Sequence, residues 1–225
     1  MEHIIDGVLR FQREVHRNQE ALFHSLALGQ TPSAMFIGCA DSRIIPELLT
    51  GQGPGELFVV RNAGNIVPPH SPEPGGVTAS IEYAVAVLGI QDIVICGHSG
   101  CGAMTAILRG SGQLEHLPAV ARWLHYADHA RDAVHAQFAC AHEGTNEVTA
   151  ATEEQRLNAL VHENVLAQLD NILTHPPVMK AVEKKQLRLH GWVYDIGSGS
   201  VDTYDARVRK FMPLSSDPFA NATPK

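Results

Sequence analysis

Three side chains able to do chemistry stand at alternate positions in GCADSRI, residues 38–44: the Cys39 thiol, the Asp41 carboxyl and the Arg43 guanidinium. The apolar run Ala34, Met35, Phe36, Ile37 stops just before them. Alternate side chains of an extended segment share a face, so all three can look into one pocket. A second cluster, GHSGCGAM, follows the apolar run DIVIC and sets His98 and Cys101 in a glycine-rich turn. Two thiolates and a neutral imidazole cancel the charge of a dication, and zinc takes such nitrogen and sulfur sets. Three protein ligands, Cys39, His98 and Cys101, leave a fourth tetrahedral position open, where a water ionises near neutrality. Arg43 is placed to hold Asp41 by charge-assisted hydrogen bonds, and Asp41 to accept a hydrogen bond from that water or hydroxide. Asp41 and Arg43 are therefore the candidate catalytic pair.

Each residue also has a plainer reading. Cys39 or Cys101 alone fits a buried small apolar side chain, His98 alone a hydrogen-bonded core histidine, and Asp41 with Arg43 a structural ion pair at a strand end. Their joint occurrence at the ends of two apolar runs favours the metal. A structural zinc would use four protein ligands, and no neutral fourth ligand is evident. Cys96 and Cys140, like His24, His125 and His190, read as ordinary packing or surface residues.

The elements that must position the cluster follow from hydropathy. Ile4, Ile5, Val8, Leu9, Leu22 and Leu26 recur at helical spacings and predict one or two amphipathic helices, an N-terminal arm over residues 1–30. AMFIG (34–38), ELFVVRN (56–62) and DIVICG (92–97) predict buried strands, and LRLHGWVYDI (187–196) a fourth that turns through GSGS into VDTYDA. GVTASIEYAVAVLG (76–89) predicts a helix, CGAMTAILRG opens another straight from the third strand, and LPAVARWLHYADHA continues the helical region. Periodicity fades between Arg131 and Ala151, which reads as a linker. Thr152 and Gln155 form a capping box for a helix carrying Leu157, Leu160, Val161, Leu169 and Ile172, which Pro176 and Pro177 are expected to end. Alternating strands and helices predict an α/β fold, a mainly parallel central sheet flanked by helices. At the carboxyl ends of its strands, Cys39 then comes beside His98 and Cys101.

The 225 residues, 44% of them hydrophobic, suit a single domain over 1–225 with a flexible tail at 215–225. With 17 basic and 24 acidic residues and a net charge of -7, no long basic run is offered to a phosphate backbone, so nucleic acid is not an expected partner. The start, MEHIIDGVLRFQREV, mixes charges into its apolar positions and predicts neither signal peptide nor membrane span, hence a cytoplasmic protein without a membrane partner. Four cysteines in a chain this long are no disulfide framework and suit thiolate ligands in a reducing compartment. The His-x-Glu…Pro-Cys-x-x-Cys pattern of nucleobase deaminases and the Cys-x-x-Cys of thioredoxin-like proteins are both absent.

Together with Cys-x-Asp-x-Arg and His-x-x-Cys, the stretches FVVRNAGNIV, PEPGGVTASIEYAV, DIVICGHSGCGAM and HGWVYDI resemble the β-class carbonic anhydrases, in particular the bacterial branch encoded beside cyanase. The resemblance runs from Ile4 to Leu214. It implies zinc-dependent, reversible hydration of carbon dioxide to bicarbonate and a proton, by attack of zinc-bound hydroxide. It also implies a homodimer or higher homo-oligomer in which the N-terminal helices clasp a partner subunit. Gln30 matches a glutamine that donates to bound bicarbonate, Phe58 and Tyr83 match aromatic groups of the carbon dioxide pocket near the subunit interface, and the Gly102 N–H matches a donor to the substrate oxygen. Core packing also accounts for Phe58 and Tyr83. Related chemistry on carbonyl sulfide or carbon disulfide stays open, as does a noncatalytic, bicarbonate-sensing protein in which Asp41 fills the fourth zinc position.

One branch of the family binds bicarbonate at a second site built from a tryptophan, an arginine and a tyrosine. Arg61 and Tyr194 match the last two, but Phe36 stands where the tryptophan would be. Phenylalanine has no indole N–H to give an anion, so that site is expected to be weak or absent, with the Asp41–Arg43 pair formed near neutral pH.

Overall fold

Two of the predicted strands, β1 (Ala34–Cys39) and β3 (Asp92–His98), lie side by side and are buried along nearly their whole length. Burial on both faces explains their unbroken apolar runs. The computed structural model describes residues 1–73, 75–110, 114–140 and 151–214, so the tail expected at 215–225 lies outside the described residues. In chain order, α1 (Glu2–Arg10), a π-helical stretch (Phe11–Val15), α2 (His16–Asn18) and α3 (Glu20–Leu26) precede β1. Then come α4 (Pro46–Thr50), β2 (Leu57–Asn62), α5 (Gly76–Glu82) with its π-helical continuation Tyr83–Val87, β3 and α6 (Gly102–Arg109). The chain continues through α7 (Pro118–Leu124), a 3-10 turn (His125–Ala127), α8 (Asp128–Cys140), α9 (Glu153–Leu173) and α10 (Pro176–Glu183), and closes with β4 (Arg188–Tyr194), β5 (Val201–Asp205) and β6 (Lys210–Pro213).

These strands form one sheet in the order β2-β1-β3-β4-β5-β6. The first four are parallel and the last two antiparallel, an α/β arrangement with a mainly parallel sheet. The sequence order reverses between β1 and β3, and the crevice beyond the carboxyl ends of such neighbours is where this architecture places its sites. One sheet face carries Met35, Ile37, Ile93 and Ile95 and packs against Leu160, Val161, Val165 and Leu169 of α9. The other carries Phe36, Val94 and Cys96, beside Trp192 and Tyr194 of β4 and against Leu49 of α4.

Helix α9 starts as its sequence demands: Gln155 N–H donates to Thr152 Oγ1 at 3.1 Å while the Thr152 N–H donates to Gln155 Oε1 at 2.9 Å. It approaches the sheet closely because β4 presents Gly191, where a Cβ would stand 2.9 Å from both Leu169 Cδ1 and Val165 Cγ1.

Two expectations need correction. The segment read as a linker from Arg131 is helical through Cys140; Ala130 and Val134 of α8, with Ala127 in the turn before it, are buried, and the histidines and aspartates between them blur the period. Residues 141–150 lie outside the described residues. Pro176 and Pro177 do not end α9, which stops at Leu173; they occupy the first turn of α10, where a missing N–H costs nothing. Helix α4 and strand β6 are too short to show a period. Among the described residues, no helix is long and apolar enough to cross a membrane.

The arm formed by α1 to α3 is amphipathic, yet it buries none of its own residues. Ile4 and Val8 stay 53% and 52% exposed, and Leu26 anchors its end against Gly55.

Two stability predictions follow from packing and burial. Gly191→Val overpacks the sheet–α9 contact, costs about 2 kcal/mol and lowers Tm by about 4–8 °C; an unchanged calorimetric Tm would refute the close approach. His175 is buried, with Nε2 3.0 Å from the Pro68 carbonyl, and burial pushes its pKa below 6.5. The folded chain keeps a neutral imidazole while the unfolded chain protonates. Its stabilising contribution is thus complete above 6.5 and is lost as pH falls from there through the folded-state value. Denaturant titrations at pH 7 and 5 should show a smaller loss for His175→Gln than for the parent, and equal losses would exclude this histidine as the cause.

Candidate metal centre

Cys39 ends β1, His98 ends β3 and Cys101 caps the first turn of α6, so sheet order alone brings the three together. All are buried, and their two sulfurs and one ring nitrogen lie within 4.8 Å of one another. Local hydrogen bonds hold each one in place. Thr105 donates both its N–H and its hydroxyl to the Cys101 carbonyl at 2.9 Å, fixing the cap. Ser99 N–H donates to the Tyr194 carbonyl at 2.9 Å and Ser99 Oγ accepts from Ile196 N–H at 3.0 Å, tying the end of β3 to the end of β4.

That tether decides the histidine tautomer. His98 Nδ1 lies 3.0 Å from the Ser99 carbonyl, which only accepts, so Nδ1 carries the proton and Nε2 carries a lone pair. Nε2 is buried and, among the described residues, has no hydrogen-bond partner. The sulfurs are already biased toward charge: the hydrogen bond from Cys101 holds the Cys39 thiol well below the usual range, while Cys39 and burial push Cys101 up. A neutral imidazole lone pair beside a thiolate and a thiol that a dication deprotonates is a donor set that fits zinc.

Asp41 stands beside this cluster, its Oδ2 3.9 Å from His98 Nε2. Arg43 donates through Nε and Nη2 to Asp41 Oδ1 and Oδ2 at 2.9 and 2.7 Å, and its backbone N–H adds a third bond at 3.0 Å. Nη2 also reaches the Gly100 carbonyl at 3.1 Å, linking the pair to the His98–Cys101 turn. Arg43 holds the Asp41 carboxyl far below the usual carboxylate range, so it is an acceptor only.

The remaining residues matched by resemblance lie differently. Gly102, the first residue of α6, is exposed and its Cβ position is open space beside Cys101. Phe58 pairs in register with Met35, whereas Cys39 pairs with Asn62, so the Phe58 backbone is displaced along β2 by about 13 Å. Tyr83 packs against Phe58, with ring centroids 6.1 Å apart, and Gln30 is exposed before the opposite end of β1. The structure therefore does not bring Gln30, Phe58 or Tyr83 to the Cys39 cluster of the same chain. Arg61 is engaged in another way: its Nε donates to the Cys39 carbonyl at 3.0 Å and its Nη2 to the Asp41 carbonyl at 2.7 Å. Phe36 meets Trp192 edge to face and offers no polar atom there.

Sequence reasoning missed the loop behind Cys39. Gly64 N–H points at the Cys39 sulfur at 3.4 Å. Asn62 clamps Ile66, donating to its carbonyl at 2.9 Å and accepting from its N–H at 2.7 Å, while Trp123 Nε1 donates to the Ala63 carbonyl at 2.8 Å. The readable signal was a polar stripe, Asn164, Gln168 and Asn171, on a helix whose other faces already supply the polar surface.

A family model described as carbonic anhydrase matches residues 34–201. The chain is 56% identical over 222 residues to a carbonic anhydrase of Pseudomonas aeruginosa, covering 99% of this chain and 96% of that one. It is 53% identical over 226 residues to carbonic anhydrase 1 of Escherichia coli O157:H7, covering 100% and 97%. Among solved structures, the β-carbonic anhydrase CcaA superposes with a TM-score of 0.89 at 37% identity, covering 98% and 94% of the two chains. One of two tetrameric β-carbonic anhydrases from Sordaria macrospora does so at 0.76 and 28% identity, covering 99% and 98%. With the Cys–His–Cys cluster at the β1–β3 switch and these matches along its length, the chain belongs to the β class of the carbonic anhydrase family.

Proposed function

We propose that this enzyme hydrates carbon dioxide reversibly to bicarbonate and a proton, with zinc held by Cys39, His98 and Cys101. The observation that carries the metal is the buried His98 Nε2, unpartnered among the described residues and within 4.8 Å of two sulfurs. When bound, zinc supplies a Lewis acid that brings the ionisation of a water close to neutrality. Asp41 takes a hydrogen bond from the attacking oxygen and so sets where its lone pair points. Because Arg43 occupies both carboxylate oxygens, Asp41 stays ionised and accepts only, which favours an incoming group that brings its own O–H. The same bidentate grip keeps Asp41 off the ligand cluster, which supports an open fourth position over permanent occupation by this carboxylate. Gly102 N–H, at the exposed start of α6, is the proposed donor to a substrate oxygen.

Gln30, Phe58 and Tyr83 lie away from their own chain's cluster, and the arm leaves an apolar stripe uncovered. We infer a homo-oligomer, dimeric at least, in which the arm covers a partner subunit and these three residues serve a site formed across the interface. Thiolate ligands must stay reduced, which suits the cytoplasm. A role in replacing bicarbonate beside cyanate breakdown comes from the resemblance alone.

Stopped-flow hydration on metal-quantified protein tests the chemistry. One zinc per chain is expected; Cys39→Ala, His98→Ala and Cys101→Ala should each lose metal and activity together. Asp41→Asn should keep its zinc and lose about 100-fold or more in rate; an Asn variant without zinc would make Asp41 a ligand. Deleting residues 1–28 should reduce the sedimenting species to monomer or drive aggregation, and a fully active, folded monomer would remove the arm from assembly.

A further inference from the structure

The Cys39 sulfur has a backbone donor, the Gly64 N–H at 3.4 Å, and Gly64 is itself held from α9. Asn164 Nδ2 donates to the Gly64 carbonyl at 3.0 Å, so this glycine is gripped on one side by a buried amide and faces sulfur on the other. The direction of each amide follows from backbone groups that have only one role. Val67 N–H, which only donates, meets Gln168 Oε1 at 2.8 Å. Gln168 Nε2 must then face Asn164 Oδ1, at 3.0 Å, and Asn164 must turn Nδ2 toward the Gly64 carbonyl, which only accepts. Asn171 completes the ladder, donating to the Val67 carbonyl at 3.0 Å and to Gln168 Oε1 at 3.1 Å.

Asn164 and Gln168 are 0% exposed. Buried amides add little net stability over apolar residues of the same shape, and each is costly once a partner is missing. A core needing only volume has no use for them at this place. What they hold is a loop with no slack: Gly64 has φ +80°, and a Cβ there would stand 3.0 Å from Met104 Cε and 3.1 Å from Ala103 Cβ in the first turn of α6. The loop thus braces the Cys39 strand end and the Cys101 helix start at once.

We propose that Asn164, oriented by Gln168, is a positioning residue for the metal centre: through Gly64 it presses an N–H against the Cys39 sulfur, setting the direction and donor strength of that thiolate toward zinc. This rests on the three-ligand reading above. An N–H bound to a thiolate draws density from sulfur, and such supporting bonds commonly change metal affinity by about 10- to 100-fold.

The direct test uses the full-length parent loaded with cadmium enriched in a spin-one-half isotope. A scalar coupling should run from the metal through the Cys39 sulfur to the Gly64 amide proton. One bound cadmium per chain without that coupling overturns the relay and leaves the metal site standing; no cadmium binding overturns the metal site and the relay with it. Asn164→Leu should weaken zinc binding by about 10- to 100-fold in chelator competition and remove the Gly64 coupling. Ile172→Ala, equally buried two turns further along α9, should change neither. Unchanged affinity and coupling in Asn164→Leu, or an equal loss in Ile172→Ala, overturns the assignment. Should Asn164→Leu not fold, Gln168→Glu serves: it keeps the acceptor for Val67 N–H and removes the donor that orients Asn164, so it must show the same losses.

Discussion

A buried ring nitrogen within 4.8 Å of two sulfurs, with no hydrogen-bond partner among the described residues, is the constraint on which the rest of this site depends. Left unmatched, such a group costs about 1–3 kcal/mol, a sizeable share of the 5–15 kcal/mol that usually separates folded from unfolded chains. The chain nevertheless fixes it with care. The end of β4 fixes Ser99, Ser99 fixes the proton on His98 Nδ1, and that proton leaves Nε2 bare. With Nδ1 committed to the Ser99 carbonyl, Nε2 is the ring atom left to meet a cation.

The parallel sheet makes that arrangement inexpensive. Because β1 and β3 are neighbours with no strand between them, two residues far apart in sequence meet at adjacent strand ends without a long loop. The same geometry limits what one chain can gather. Residues at the amino ends of the strands, such as Gln30 and Phe58, lie a strand length from the ligand cluster, and no side chain spans that distance. Carbon dioxide is small and apolar, so its pocket needs apolar walls more than polar anchors; those walls have to come from elements that end at the same crevice or from another subunit.

Much of this was legible because it is written in local patterns. Continuous apolar runs gave β1 and β3, and the Thr152–Gln155 spacing gave the start of α9 to the residue. The Cys39–His98–Cys101 cluster was legible because Cys-x-Asp-x-Arg and His-x-x-Cys are short and each sits at the end of such a run. What stayed hidden depends on groups that carry no sequence signature. The donor to the Cys39 sulfur is a main-chain N–H, which any residue but proline supplies, and its position is set by amides a hundred residues away. Arg61 was legible as a cation, but only the strand register shows it to be a clamp on two carbonyls. The buried stripe of Ala127, Ala130 and Val134 at the start of α8 and in the turn before it is too weakly apolar to stand out among charged neighbours.

The two arginines together account for the state of Asp41. Arg43 takes the carboxylate and Arg61 takes the carbonyl of the same residue, so Asp41 is held at both its side chain and its main chain. For the carboxylate to move onto the ligand cluster, two charge-assisted bonds and a turn closed by Arg43 N–H would have to break together. An anion bound near Arg61 would meet a guanidinium that already donates through Nε to the Cys39 carbonyl and through Nη2 to the Asp41 carbonyl. Phe36, in a T-shaped contact with Trp192, has no polar atom to offer an anion there. In this structure the paired Asp41–Arg43 state is held by the local bonding of one strand end.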